Sequence, residues 1–120
     1  MPIQVFQDDG FVAIVQSGTV SEIDRRLPAG DWEVVTHAHR VLIDYTDVEA
    51  YQIDPMSLTG IIRTLVLGRV RLAIAAPQPF TYGLNRQVLQ LADVEQFRNV
   101  GLFRSRDQAE EWLMSDRIAG

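Results

Sequence analysis

Two short apolar runs limit what this chain can fold into. Residues 41–43 and 72–76 contain no polar side chain, which is typical of strands buried on both faces of a parallel sheet. Between them, apolar residues stand at offsets 0, 3, 4, 7 and 8 from Leu58 to Val66, which predicts an amphipathic helix that ends near Gly68. A strand, a helix and a second strand in this order predict a right-handed crossover and an α/β fold.

The alternation continues through the second half of the chain. The spacing of Leu84, Val88 and Leu91 predicts another helix, and residues 100–103 are typical of a further strand. Ser105-Arg106-Asp107-Gln108 has the pattern of a capping box, which predicts a last helix from that point.

The first residues predict an antiparallel start. Residues 3–6 and 11–15 are β-like runs, and the Asp9-Gly10 pair between them suits a tight hairpin. Together the elements predict one domain over residues 1–120. Its sheet is mixed, has four to five strands, is mainly parallel and is packed with helices.

The segment after the hairpin is predicted from its caps. Thr19 followed by Glu22 has the pattern of a capping box, so we expect a helix that begins there and ends before Pro28. Residues 29–30 continue that break. Residues 31–38 fit a short helix or an extended segment equally well.

Composition excludes several kinds of chemistry. The chain has no cysteine, and all 11 of its basic residues are arginine. Without a thiol there is no disulfide or cysteine nucleophile, and without lysine there is no Schiff base or complete P-loop. With 16 acidic residues the net charge is −5, which argues against a nucleic-acid partner, because such a partner needs a basic surface.

Location and metal binding follow from what the sequence lacks. No apolar run approaches the roughly 20 residues of a membrane span, and residues 1–4 lack the basic region and apolar stretch of a secretory signal. We therefore expect a cytoplasmic protein without stable membrane insertion.

The two histidines, His37 and His39, would share a face on a strand, but no further motif accompanies them. We predict no metal site, no cofactor and, lacking a Gly-x-Ser-x-Gly elbow, no catalytic residues.

A binding site is expected where the parallel strands end. In an open α/β sheet, ligands bind outside the carboxyl ends of the strands. We expect the side chains at three such ends to converge on one rim. The candidate residues for binding a ligand or partner are Asp44, Tyr45, Asp54, Ser57, Tyr82, Arg86 and Arg104.

Some candidates also have a structural interpretation. Asp54 precedes Pro55 and is first of all a helix N-cap, while Asp44 either orders the following loop or faces the site.

Other candidates suggest an anion. Tyr82-Gly83 is interpreted as a helix start whose amides could meet an anion, with Arg86 one turn further on and Arg104 facing it.

The order of these segments resembles the STAS domain. The resemblance lies in the apolar strand and aspartate within residues 41–48, in Ile53-Asp54, and in the following helix with Gly60. Later segments are closer to the small bacterial STAS/Sec14-like proteins, also called stage II sporulation protein AA-like, which mostly have no assigned function. Those segments are residues 71–77, 80–84, 99–105 and 109–113. The resemblance covers about residues 10–114 and implies a non-catalytic regulatory or interaction module.

One departure from that family affects regulation. In the phosphorylated antagonists a serine directly follows the loop aspartate, whereas here Pro55 follows Asp54. That phosphorylation switch cannot operate at this position, because proline has no hydroxyl. Ser57 and Thr59 lie nearby, and the sequence leaves open whether either is modified.

Three functions therefore remain, in this order. The first is a protein-interaction or regulatory module that works through the helix near Asp54, with a protein or a second copy of the chain as partner. The second is a binder of a small apolar or lipid ligand, if Tyr45, Tyr51, Phe80 and Tyr82 border a cavity rather than complete the core. The third is a hydrolase-like enzyme centred on Asp44, Tyr82 and the two histidines.

Overall fold

Strands and helices alternate through the computed structural model, which describes residues 3–21, 28–94 and 97–115. The elements are β1 (Ile3–Asp8), β2 (Phe11–Ser21), α1 (Ala29–His37), β3 (Arg40–Gln52), α2 (Pro55–Leu67), β4 (Arg71–Ala75), α3 (Pro79–Leu91), β5 (Val100–Phe103) and α4 (Arg106–Leu113).

The five strands form a sheet in which their spatial order is the order of the chain, β1-β2-β3-β4-β5. β1 is antiparallel to β2, and the other neighbouring pairs are parallel. This confirms the predicted mixed, mainly parallel α/β architecture. Because right-handed crossovers from β2 to β5 all step in one direction, α1, α2 and α3 pack on one face, and α4 covers the other.

Side chains on the central strands alternate between two cores. On β3, Val41 and Ile43 face α1, α2 and α3, whereas Leu42 faces α4. On β4, the small side chains of Ala73 and Ala75 lie under α4 and let that helix approach closely. Both faces are buried, which explains the absence of polar residues from these runs. Each large aliphatic side chain here contributes roughly 1.5–3 kcal/mol by its burial.

The predicted hairpin joins β1 to β2. Asp8 pairs with Phe11, and the turn between them is Asp9-Gly10. Gly10 has φ 91°, a conformation that a side chain would strain, and the Asp8 carboxylate accepts a hydrogen bond from the Asp9 amide at 2.8 Å. The antiparallel start is therefore confirmed.

The predicted helix start at Thr19 is wrong. β2 continues to Ser21, with Thr19 paired to Ala50 and Val20 paired to Tyr51. Val20 is fully buried in the larger core, so pairing and burial outweigh the local capping pattern. The rest of that predicted helix, residues 22–27, lies outside the described part of the chain.

The end of the central strand is also corrected. β3 pairs with β4 only as far as Asp44, opposite Ala75, but it continues beside β2 to Gln52. The prediction treated residues after Asp44 as a loop. They are rich in aromatic and β-branched side chains, which favours a strand.

α1 resolves the ambiguous segment as a helix. It begins at Ala29, directly after Pro28, whose carbonyl accepts the first helical hydrogen bond from the Trp32 amide at 3.0 Å. Pro28 therefore directly precedes a helix, and residues 29–30, where a break was predicted, belong to that helix.

α2 has the predicted caps. The Asp54 carboxylate accepts a hydrogen bond from the Met56 amide at 3.0 Å, and Pro55 occupies the first helical position. Gly68 is the C-cap as predicted, yet the left-handed residue is Arg69, with φ 65°. The Val70 amide reaches back to the Leu65 carbonyl at 3.0 Å, which completes a Schellman motif.

α3 buries a different face from the predicted one. It begins at Pro79, and its buried residues are Thr81, Asn85, Val88 and Leu89. The predicted stripe included Leu91, which is 47% exposed. The true stripe was missed because two of its four members are polar.

α4 begins as predicted, with the Ser105 hydroxyl accepting a hydrogen bond from the Gln108 amide at 3.2 Å. Across the described ranges, no helix combines the length and the apolar character needed to cross a bilayer.

Candidate functional site

The seven predicted site residues do not converge on one rim. Asp44 and Tyr45 are neighbours on β3, so their side chains point to opposite faces of the sheet. The structure divides the candidates into three places: the α4 face, the start of α2 with the buried space behind it, and the edge of the sheet at β5.

On the α4 face, Asp44 is buried and its oxygens are in use. One oxygen accepts hydrogen bonds from the Thr46 amide at 2.8 Å and the Thr46 hydroxyl at 2.5 Å, and the other accepts from Arg106 Nη1 at 3.0 Å. Arg106 also lies 3.4 Å from Glu110 and 3.8 Å from Asp8. Asp44 therefore ties α4 to the sheet, a contact that was not predicted, and the residues after it, which were expected to form a loop that Asp44 orders, belong to β3.

The contact with Asp44 offsets the effect of burial on the Arg106 guanidinium. Burial lowers the pKa of Arg106, but its hydrogen bond to Asp44 and the carboxylate charges of Asp44 and Glu110 raise it, and the net shift is upward. Sequence analysis missed Arg106, because no pattern shows that the first residue of α4 meets a strand 62 residues earlier in the chain.

At the start of α2, Asp54 acts as the predicted N-cap. Ser57 is half-buried, and its amide donates to the Asp54 carbonyl at 2.9 Å. Thr59 Oγ1 donates to the Met56 carbonyl at 2.8 Å, as a hydroxyl inside a helix commonly does. Met56 itself is 61% exposed and is the apolar feature of this surface.

Tyr45 is buried in a polar cluster inside the larger core. Its ring meets that of Tyr51 edge to face at 5.3 Å. Burial raises the pKa of Tyr45, and side-chain hydrogen bonds with Tyr51, Gln16 and Asn85 lower it in part, with a net upward shift. Asn85 in turn donates to the Thr81 carbonyl at 2.8 Å. Thr81 and Asn85 are the buried polar residues of α3 that the predicted stripe omitted.

A small cavity lies beside this cluster. Its volume is about 60 Å³, and aliphatic and aromatic side chains form most of its wall. The Oε1 atom of Gln16, a residue only 3% exposed, has no hydrogen-bond partner in the described structure. The lining residues are Ile3, Ile14, Gln16, Trp32, Ile43, Tyr45, Tyr51, Leu58, Ile61 and Ile62.

Gln78 closes the point at which β3 and β4 separate. Its Nε2 atom lies 2.9 Å from the carbonyl oxygens of Tyr45 and Thr46 and 3.0 Å from that of Val48. The side-chain oxygen of Gln78, Oε1, accepts a hydrogen bond from the Thr81 hydroxyl at 2.5 Å. The strand end at which ligands bind in other open sheets is thus filled by a side chain of this protein.

Three predicted residues do come together, at the edge of the sheet. The Arg104 guanidinium lies 4.0 Å from the centre of the Tyr82 ring, and Arg86 is one helical turn beyond Tyr82 on α3. The Tyr82 amide donates to the Gln78 carbonyl inside α3, so this segment is not a helix start with amides free for an anion. Within the described residues, neither arginine has a salt bridge.

A groove of about 220 Å³ runs between α3 and β5 at this edge. We call it the α3–β5 groove. Its lining residues are Tyr82, Arg86, Leu89, Val100, Gly101 and Leu102.

The backbone of β5 offers hydrogen bonds on the side away from the sheet. The amides of Leu72 and Ala76 donate to the carbonyls of Asn99 and Phe103, at 2.7 and 2.8 Å. Alternate residues of a parallel strand bond to the same neighbour, so Val100 and Leu102 direct their N–H and C=O groups outwards. β5 is the last strand of the sheet, and these groups have no strand partner among the described residues.

The histidines do not share a strand face. His37 ends α1, where its Nδ1 lies 2.9 Å from the Glu33 carbonyl, and His39 lies in the turn before β3. No group of three or more metal-ligating residues occurs in the part of the chain that the structure describes.

Comparison with known proteins gives the architecture independent support. No protein-family model and no curated protein sequence matches the chain. A solved structure is similar: an uncharacterized protein of the DUF3478 family with a SpoIIAA-like fold, from Shewanella loihica PV-4. It is 16% identical, the alignment covers 92% of this chain and 91% of that chain, and the TM-score is 0.57. At this identity the likeness concerns the fold alone, and it shows that the chain has a SpoIIAA-like fold.

Proposed function

We propose that this protein is a non-catalytic, cytoplasmic interaction module whose α3–β5 groove binds an extended segment of a partner protein. The observation that carries the proposal is the outer edge of β5, where Val100 and Leu102 present N–H and C=O groups that no described strand pairs with, beside a groove. An extended segment can add to such an edge as a further strand, with its side chains lying against the neighbouring helix.

The walls of the groove suit strand addition. Val100 and Leu102 are half-buried and lie on the side of the sheet that α3 covers, and Leu89 of α3 lines the groove with them. An added strand would run about 4.8 Å outside β5, and its alternate side chains would lie over these residues. Backbone hydrogen bonds would supply affinity, and the groove would select side chains.

Pairing of two copies is less favourable at this edge. An antiparallel pair centred on Gly101 would place Arg98 of one copy directly opposite Arg104 of the other. Like charges directly opposite each other destabilise a strand pair. We therefore propose a different protein as the partner and treat a second copy as an outcome of the experiment below.

Selection from a peptide library tests this proposal. Random heptapeptides displayed on phage are selected against the intact protein, and enriched peptides are titrated into ¹⁵N-labelled protein. We expect the largest amide shifts at Val100 and Leu102, and slower hydrogen exchange of these two amides. Absence of enriched peptides, or shifts centred elsewhere, such as at Met56, would overturn the proposal. So would protection of the same amides by self-association without peptide.

A matched pair of variants tests the backbone contact. Val100 is the first residue of an edge strand, where proline is tolerated, and Val100→Pro removes an outward N–H group. Val100→Thr keeps that group in a side chain of similar shape. We expect V100P to lose binding by tenfold or more and V100T to retain it, with similar far-ultraviolet circular dichroism. Equal binding by the two variants would contradict strand addition.

The alternative functions have less support. A pocket for a small ligand usually measures roughly 300–1,000 Å³, well above the cavity beside Tyr45. The Gln16 side-chain oxygen, which has no hydrogen-bond partner among the described residues, favours a ligand there. The hydrolase-like alternative needs Asp44, Tyr82 and the histidines together, and the structure separates them. The surface around Asp54 stays a prediction.

A further inference from the structure

We infer that the partner segment carries a carboxylate, which Arg86 and Arg104 bind at the end of the α3–β5 groove. This inference rests on the proposed function and adds the chemistry of the partner. It starts from the one group of predicted site residues that the structure brings together, Tyr82, Arg86 and Arg104.

The Tyr82 ring orients Arg104. The guanidinium lies over the ring at 4.0 Å, and stacking of this kind fixes the plane of the group while its N–H edge stays available for a ligand. Arg104 follows β5 with the same parity as Val100 and Leu102, so its side chain lies on the α3 side of the sheet.

Arg86 supplies a second charge on the same side. It stands four residues after Tyr82 on α3, which places the two side chains on one face of the helix, and it lines the groove. A carboxylate between two guanidinium groups forms charge-assisted hydrogen bonds, which are about twice as strong as neutral ones.

Three other arginines in the described part of the chain donate hydrogen bonds within the fold. Arg106 donates to Asp44, Arg63 donates to the Ala92 carbonyl at 2.7 Å, and Arg71 donates to the carbonyls of Trp112 and Ser115. No oxygen atom of the described residues accepts a hydrogen bond from Arg86 or Arg104. On a chain of net charge −5, these two arginines form a local positive site that complements an acidic segment.

An added strand would bring side chains to this site. Its alternate residues point to the α3 side, so one acidic residue in the right register would reach Arg104 while its apolar neighbours meet Leu102 and Leu89. A carboxylate at the end of the partner chain has the same chemistry, so the experiment must distinguish the two sources.

Two library formats separate these sources. Heptapeptides fused through their C-terminus offer only side-chain carboxylates, whereas heptapeptides displayed with a free C-terminus also offer the chain end. If the carboxylate belongs to a side chain, we expect Asp or Glu to be enriched at a fixed position in the first format. If it belongs to the chain end, we expect the enriched peptides of the second format to keep their shared residues at a fixed distance from the C-terminus. An enriched acidic peptide should bind at least tenfold more tightly than its Gln or amide counterpart at 50 mM NaCl.

Single substitutions connect this preference to the two arginines. Arg86→Gln and Arg104→Gln should each remove most of the tenfold preference, while Arg69→Gln, an exposed change of equal charge outside the groove, should leave it unchanged. Enriched peptides without acidic preference would overturn this inference and leave the proposed function standing. No enriched peptides in either format would overturn both.

Discussion

Arg106 Nη1 donates a hydrogen bond of 3.0 Å to Asp44 Oδ2, and this contact joins the first turn of α4 to the central strand. Asp44 is 4% exposed, and Arg106 and Thr46 donate the hydrogen bonds that its two carboxylate oxygens accept in the core. The contact therefore contributes to stability more than a surface ion pair would.

We expect Arg106→Met to lower the free energy of unfolding by about 2 kcal/mol. Removing one partner of a buried ion pair costs roughly 3–5 kcal/mol, and the estimate here is smaller because Arg106 is partly exposed. Urea unfolding monitored by tryptophan fluorescence measures the change. Asp8→Asn, which removes an exposed carboxylate 3.8 Å from the same arginine, serves as control and should cost at most about 0.5 kcal/mol. Equal effects of the two changes would contradict a special role for Asp44.

The left-handed residue after α2 predicts a stabilising substitution. Arg69 has φ 65°, a conformation that costs a residue with a Cβ roughly 1–2 kcal/mol and costs glycine little. We expect Arg69→Gly to raise the free energy of unfolding by about 1 kcal/mol, because the strain exceeds the entropy that glycine loses on folding.

Arg69→Ala is the matched control, since it removes the same long side chain but keeps the Cβ. It should leave stability within about 0.5 kcal/mol of the original protein. If R69A stabilises the protein as much as R69G, the gain comes from the lost side chain and not from backbone strain.

The parallel core was predictable because it depends on local composition. The runs at residues 41–43 and 72–76 are buried on both faces, so every side chain must be apolar, whatever lies elsewhere in the chain. The cap at Asp54 was predictable for a similar reason, because it needs only neighbouring residues. The pattern at Thr19 had the same local form, but pairing with Ala50 decided its structure.

The site was less predictable, because it depends on orientation. The sequence placed Asp44 and Tyr45 together at a strand end, although alternation along a strand sends them to opposite faces. It did not show that the side-chain amide of Gln78 fills the gap between β3 and β4. Tyr82 and Arg104 were found together because they lie in the first turn of α3 and just beyond β5, where the predicted order of elements was correct, and Arg86 follows Tyr82 by one helical turn.

Tyr45 predicts a loss of stability at alkaline pH. Burial raises its pKa in the folded protein above the value of about 10 in the unfolded chain. The resulting stabilisation is complete below pH 10 and is lost as pH rises towards the folded pKa. Above pH 10, the free energy of unfolding should fall by up to about 1.4 kcal/mol per pH unit from this residue. The chain has no lysine or cysteine, so few other groups titrate there.

The Tyr45→Phe variant isolates this contribution. At pH 8 it should be less stable by about 1–3 kcal/mol, because its buried hydrogen-bond partners Gln16 and Asn85 lose the hydroxyl. The difference between the two proteins should shrink between pH 10 and pH 11.5, as measured by urea unfolding at each pH. A constant difference would show that Tyr45 ionises equally in the folded and unfolded states.

The volume of the cavity beside Tyr45 predicts the response to lipid-like molecules. About 60 Å³ accommodates a few water molecules, whereas a fatty-acid chain needs a pocket of several hundred cubic ångströms. We expect 100 µM dodecanoate to change the thermal unfolding midpoint by less than about 1 °C, because a molecule that does not bind the folded protein does not stabilise it. A saturable rise of several degrees would instead show that the core opens to admit the ligand, and it would favour the small-ligand function. In that case Gln16→Leu should alter the rise, since Gln16 bears the unpaired oxygen beside the cavity, whereas Arg86→Gln on the distant groove should not.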